Sequence, residues 1–264
     1  MHNRNNALRI LVLSIISCGS AYAAEESELQ DMSDPLAVYT QAGFGVSDKG
    51  INLKVGQTYD TGNPVTMGMN VIEIKGIGGK AIGIRSESDF PAVDDSVDSF
   101  RFRNFGVDLT NGRGHQLDLS YSVEQDRTTA SYSFIQALPK FGPVSLYPLA
   151  GLGLDVMNSK NYPGEQASDS GYTIPGTFAL VGMYSKVEIT KNIWINYNPM
   201  YMSTLSGADW YKKEIYAGES SILTHEFALS YQINKRSNLR YFANWNEKTD
   251  FADGDHRIEY NYQF

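Results

Sequence analysis

The stretch Arg257-Ile258-Glu259-Tyr260-Asn261-Tyr262-Gln263-Phe264 alternates without a break: Ile258, Tyr260, Tyr262 and Phe264 are apolar or aromatic, and the residues between them are polar or charged. Successive side chains of a strand point to opposite faces, so this period of two creates one greasy face and one wet face. Earlier stretches repeat the device. Leu239, Tyr241, Ala243 and Trp245 face away from Arg240, Asn244 and Asn246, and Leu223, Phe227, Leu229, Tyr231 and Ile233 face away from Thr224, Glu226, Ser230 and Gln232. Leu117, Leu119, Tyr121 and Val123 oppose Gln116, Asp118, Ser120 and Glu124; Val144, Leu146, Ala150, Leu152, Leu154 and Val156 oppose Ser145, Tyr147, Gly151, Gly153 and Asp155.

A soluble β-sandwich or a lipocalin-like barrel also alternates, with its apolar face turned inward. Three features favour the opposite sense. The runs have the length of about ten residues that a tilted strand needs to cross a bilayer. The polar faces carry Gly, Ser, Asn and charges of both signs, which suits a wet lumen, and aromatic residues gather near strand ends as in interfacial girdles. The terminal Tyr260-Asn261-Tyr262-Gln263-Phe264 resembles the assembly signal of bacterial outer-membrane β-barrel proteins. That resemblance implies an assembly role for Tyr260, Tyr262 and Phe264, read by the barrel-assembly machinery, and names a superfamily and no narrower family.

Composition agrees. The 264 residues contain 17 Tyr, 12 Phe and 24 Gly, which favours strands and tight turns. Thirty acidic against 22 basic side chains give a charge of -8, with no cationic surplus for nucleic acid. The longest apolar run, Ile10 to Ile16, is too short for a spanning helix.

Residues 1–23 run from Arg4 and Arg9 through that apolar run to Ala21-Tyr22-Ala23, the layout of a secretory signal peptide cleaved after Ala23. Cleavage would leave 264 − 23 = 241 residues, and the loss of two arginines would shift the charge from -8 to -10. The sole Cys18 would leave with the signal, so the mature chain could form no disulfide. Ile15-Ile16-Ser17-Cys18 also resembles a lipobox, although the Ala-Tyr-Ala site fits the rest of the chain better. Residues 24–35 form an acidic leader, and residues 36–264 one barrel domain.

The fold class expected is all-β, a transmembrane antiparallel β-barrel of about twelve strands, with ten to fourteen open. Thirteen candidate runs occur: 36–46, 51–59, 66–75, 80–86, 99–109, 114–124, 128–137, 144–156, 174–189, 193–203, 221–233, 238–246 and 256–264. Counted back from a periplasmic Phe264, the long connections 247–255, 204–220, 157–173 and 87–98 all fall outside, and the short turns 234–237, 190–192, 111–113 and 76–79 all fall inside. The twelve strands then start near Ile51 and leave 36–46 as a surplus, periplasmic or packed in the lumen. Met67, Met69 and Val71 lie on the face opposite Ile72 and Ile74, so the third run holds a bulge or is misassigned.

By phase, Lys54, Arg101, Arg103, Asp118, Glu226, Arg240, Arg257 and Glu259 are the candidate lumen-lining residues, joined by Lys186, Glu124, Asp155 and Glu188. Mixed signs favour pairing across strands over a one-sided selectivity ladder. Gly151 and Gly153 leave inner-face room beside Asp155. No catalytic or cofactor site is expected: His115, His225 and His256 stand in no His-x-Ser arrangement, and Asp94-Asp95 and the loop carboxylates Asp250, Asp253 and Asp255 read as solvated clusters. The loop 204–220, with Trp210, Tyr211, Lys212, Lys213 and Tyr216, either folds into the pore mouth or packs on its neighbours.

The leading functional expectation is a porin-like channel for passive diffusion of small hydrophilic solutes, set in outer-membrane lipid and lipopolysaccharide. The alternatives are a surface-interaction barrel with a plugged lumen, resembling an autotransporter barrel, and, third, a lipid-modifying barrel enzyme.

Overall fold

The computed structural model describes residues 29–79, 97–162 and 171–264. Its strands are β1 (Gln41–Ser47), β2 (Gly50–Tyr59), β3 (Thr66–Ile77), β4 (Ser99–Asp108), β5 (Arg113–Ser122), β6 (Arg127–Gln136), β7 (Val144–Asn158), β8 (Tyr172–Glu188), β9 (Ile193–Tyr197), β10 (Met200–Gly207), β11 (Ser221–Asn234), β12 (Ser237–Asn246) and β13 (Asp255–Gln263). Each pairs antiparallel with its sequence neighbours, and β1 pairs with β13, Phe44 opposite Tyr260, so the sheet closes on itself. β9 and β10 both lie between β8 and β11 and are two halves of one span. Pro199, which has no N–H, interrupts that span, yet Asn198 N donates to Glu226 O (2.8 Å) and Met183 N to Pro199 O (3.1 Å), so pairing runs through the break. The result is a closed barrel of twelve spans.

The sense of the barrel is read directly from β13. Ile258 is 57% exposed, whereas its neighbours Arg257 and Glu259 are 7% and 5% exposed. The rule repeats around the wall: Val55, Ile72, Phe134, Leu152, Val181, Tyr231 and Leu239 point outward into open space, and Asn52, Glu73, Gln116, Ser133, Asp155 and Asn238 are buried inside. A continuous apolar outer surface of this kind needs hydrocarbon around it. Closure leaves every span with two hydrogen-bonded neighbours and no bare edge, the condition for crossing lipid with strands.

Three strand expectations need correction. The surplus run is split: residues 41–47 form β1, which closes the barrel, and 29–40 lie inside it. The run 80–86 lies outside the described residues, and β3 pairs directly with β4, so no strand stands between them. The total of twelve therefore holds with different members. The turn 76–79 belongs to the same end as the long connections 78–98, 159–171, 208–220 and 247–254, and the loop 60–65 belongs to the end that carries both the plug and Phe264. The third run alternates without a break from Met67 to Ile74, and its bulge lies at the end, at Lys75 and Gly76. Its β4 pairing is regular, and the one shift against β2 falls between Ile74 and Ile77, where β3 carries an extra residue opposite Asn52. Met69 and Val71 are apolar yet face inward because Val38 and Leu36 of the interior segment pack on them together with Val107.

Candidate functional site

The interior segment 29–40 lines the end of the barrel at which the chain closes. Gln30 is held by Gln263, its N donating to Oε1 (3.2 Å) while its carbonyl accepts from Nε2 (3.0 Å). Lys186 donates to Asp31 (3.2 Å), Tyr147 donates to Asp34 (3.0 Å), and Thr40 shares a hydroxyl bond with Thr58 (3.1 Å). Met32 is buried against Gln232 and Asn238. The segment thus touches β13, β8, β7 and β2 in turn and forms a plug. The Asp31 carboxyl is pushed up by burial and down by the Ser33 donors and Lys186, and the second influence wins, holding it below the usual aspartate range. Burial raises the Tyr39 hydroxyl to about 12.

Above the plug the lumen divides into two chambers. The lower one, of about 180 Å³, is bounded by Met32, Pro35 and Tyr39 of the plug and by Lys54, Lys75, Arg240 and Arg257 of the wall. The upper one, a vestibule of about 650 Å³, opens toward the long loops and reaches Lys49, Thr249 and Asp253. Arg101, Arg103, Tyr184, Asn198 and Glu226 line both and mark the neck between them.

The eight lumen candidates all lie in these two linings. Lys54, Arg240, Arg257 and Glu259 line the lower chamber, Asp118 the vestibule, and Arg101, Arg103 and Glu226 the neck. Six of them belong to one arc of paired charges. Arg257 sits 3.3 Å from Glu259, which accepts from Lys54 at 2.5 Å. Lys54 and Glu259 stand on strands separated by β1, and Gly43 lets them meet: a Cβ there would come within 3.0 Å of the Lys54 side chain and 2.7 Å of Asn261. Glu73 accepts from Arg103 and lies 3.3 Å from Lys75, and Arg101 donates twice to Asp118. Gln116 donates to Asp118 (3.1 Å) and accepts from Tyr184 across the lumen (3.0 Å). Asn198 donates to Glu226 (2.8 Å). Arg240 donates to Ser230 (2.9 Å) and Asn196 (2.8 Å) and forms no ion pair with a described carboxylate.

Sequence phase missed the inward apolar residues. Phe242 packs beneath two guanidinium groups, Arg257 at 4.3 Å and Arg240 at 4.6 Å from its centroid. It is the one large apolar residue on the polar face of β12, and that break in alternation was the available signal. Ile135, Tyr147, Leu149, Phe178 and Leu180 form a second inward cluster, with Leu36, Tyr184, Met200 and Met202 packed on it. The room left by Gly153 is filled by the Phe178 ring, whose Cζ lies 2.2 Å from where a Gly153 Cβ would stand.

At the loop end, a short helix α1 (Asp209–Glu214) places Tyr211 wholly inside the rim, its hydroxyl donating to Asp155 (2.7 Å). Burial and that carboxylate push the Tyr211 hydroxyl up. His115 stacks on Tyr132, His225 on Tyr197 and Trp245, and His256 on Tyr241, all on the outward wall. Among the described residues, no three His, Cys, Asp or Glu side chains gather as a metal site. Asp94 and Asp95 lie outside the described residues.

No family model and no curated protein matches the chain. Solved structures do. The COG4313 outer membrane channel from Pseudomonas putida F1 is similar at 6% identity and TM-score 0.52, over 91% of this chain and 100% of that one. The NanC porin is 7% identical at TM-score 0.48, over 86% and 99%. The translocator domain of autotransporter NalP from Neisseria meningitidis is 12% identical at TM-score 0.47, over 98% and 96%. At such identities the likeness is one of fold alone, that of a closed antiparallel β-barrel.

Proposed function

We propose that the protein is an outer-membrane channel through which small hydrophilic solutes diffuse passively, without catalysis or a cofactor. The plug end faces the periplasm and the long loops face outward amid lipopolysaccharide. The observation that carries this reading is a lumen whose two chambers, from the loop end to the plug, share a lining of Arg101, Arg103, Tyr184, Asn198 and Glu226 and carry hydrogen-bonding groups beside one apolar wall. Polar walls replace the hydration of a passing solute, and paired charges of both signs keep the barrier low without trapping one sign. Secretion would remove residues 1–23, and the assembly machinery would read Tyr260, Tyr262 and Phe264 in the last strand. Tyr260 and Phe264 point outward, where a factor in the membrane reaches them.

The plug supports a second reading, a barrel closed at rest that serves as a surface element. Planar-bilayer recording separates the two. The channel reading expects discrete current steps from the purified protein. The plugged reading expects silence from the intact chain and steps only after deletion of residues 29–38.

A further inference from the structure

The vestibule is two-faced. Its floor carries Arg101 and Arg103 at the neck, and one of its walls carries Leu149, Phe178, Leu180, Met200 and Met202. The lower part of the same apolar ribbon, Ile135 and Tyr147, is packed with Leu36 of the plug. The upper part borders the cavity, where a passage serving water and polar solutes alone gains nothing from thioethers and aliphatic groups. Charge and grease lie close together here. Tyr184 packs against the apolar cluster, and its hydroxyl donates to Gln116, which in turn donates to Asp118, the partner of Arg101. One tyrosine side chain therefore spans the gap between them.

Arg103 is incompletely satisfied. One terminal nitrogen is taken by Glu73, and its buried Nε finds no acceptor. A guanidinium offers five donors in a planar fork matched to a carboxylate, and the Arg103 fork lines the vestibule with one terminal nitrogen committed to Glu73. In the rest of the lining Ser131 and Ser133 are small and leave room for a ligand body, while the two floor carboxylates are already engaged, Asp118 by Arg101 and Glu226 by Asn198.

We propose that the vestibule binds amphipathic organic monocarboxylates, with the carboxylate on Arg103 beside Arg101 and a compact apolar body on Leu180, Met200 and Met202. Methionine suits such a wall because its flexible, polarizable side chain adapts to differently shaped bodies. This rests on the channel reading only for access of the ligand from the loop end.

The test is calorimetric titration of the purified full-length barrel in detergent with phenylacetate, acetate and 2-phenylethanol. Phenylacetate is expected to bind at least tenfold more tightly than acetate, which lacks the body, or 2-phenylethanol, which lacks the charge. Arg103→Gln should bring phenylacetate down to the alcohol, and Met200→Thr with Met202→Thr should bring it down to acetate. Each variant is first checked for the heat-modifiable migration of a folded barrel. Because Arg103→Gln disturbs Glu73, the methionine pair, which takes part in no described ion pair, keeps the test open if the arginine variant fails to fold. Phenylacetate binding no tighter than acetate, or no tighter than 2-phenylethanol, overturns the proposal, as does binding that survives both sets of substitutions. Bilayer recording is scored separately: silence with phenylacetate binding intact defeats the channel and leaves the site, and current steps without binding do the reverse.

Discussion

The two sides of the lumen solve the same problem with different physics. From β13 through β2 and β3 to β5, the inner wall is an arc of ion pairs, made within a strand, between neighbouring strands or across β1. From β6 to β10 it is a ribbon of Ile135, Leu149, Phe178, Leu180 and the methionines, packed like the core of a soluble protein. The plug covers apolar groups on both sides that water would otherwise wet, Leu36 on the lower ribbon and Leu36 with Val38 on Met69, Val71 and Val107. A closed barrel fixes only which residues point inward. What they point at is set by whatever else occupies the interior.

The largest effect that would break the comparison is expected on the apolar side. Phe178 is 1% exposed, and Phe178→Ala should cost about 3–5 kcal/mol, seen as a lower urea midpoint for loss of the folded, heat-modifiable band. On the charged side, Glu73→Gln leaves Arg103 and Lys75 without their carboxylate and should cost about 3 kcal/mol. Adding Arg103→Leu should recover most of that loss, because the penalty lies in the stranded charge. If the double variant is no more stable than Glu73→Gln, the arc is not a set of coupled pairs. Gly153→Val drives a branched side chain into the Phe178 ring and should cost about 1–3 kcal/mol, relieved by Phe178→Leu.

The smallest effect sharpens the role of the plug. Asp31 is 62% exposed in its pair with Lys186, so Asp31→Asn should cost less than about 1 kcal/mol. Its carboxyl is held below the usual range, so its contribution is complete at neutral pH and is lost as pH falls through the lowered value. The wild type and Asp31→Asn should therefore converge in stability below about pH 4 and differ above it. A difference that grows with acidity would mean that Asp31 does not latch the plug as an anion.

The barrel was legible from β13, β12, β11 and β5, where alternation is clean because one face meets lipid and the other meets water. It was less legible in β3, where Met69 and Val71 face inward onto Val38, so both faces of the strand read as apolar. The same ambiguity displaced the first strand: residues 36–46 read as one run, although the chain turns from plug to wall between Thr40 and Gln41. Lys54, Arg101, Arg103 and Asp118 line the lumen, as the high cost of a bare ion on the lipid face requires, whereas Glu124 falls in the exposed turn after β5. Phe242, Phe178 and Met202 did not report their inward phase, because a lumen tolerates an apolar residue wherever a ring, a guanidinium or the plug lies beside it. The inward fold of Tyr211 depends on its bond to Asp155, 56 residues away in sequence, which no local pattern encodes.

The central claim is that solutes pass through this lumen, and a single cysteine in its wall tests it most directly. Ser131 lines the vestibule, and removal of the signal with Cys18 would leave the mature chain free of other thiols. Single-channel current through Ser131→Cys, recorded while a bulky charged methanethiosulfonate is added from the loop side, is predicted to fall in one step and to recover with a reducing agent. A current that the reagent leaves unchanged, or no current before it is added, would contradict the account.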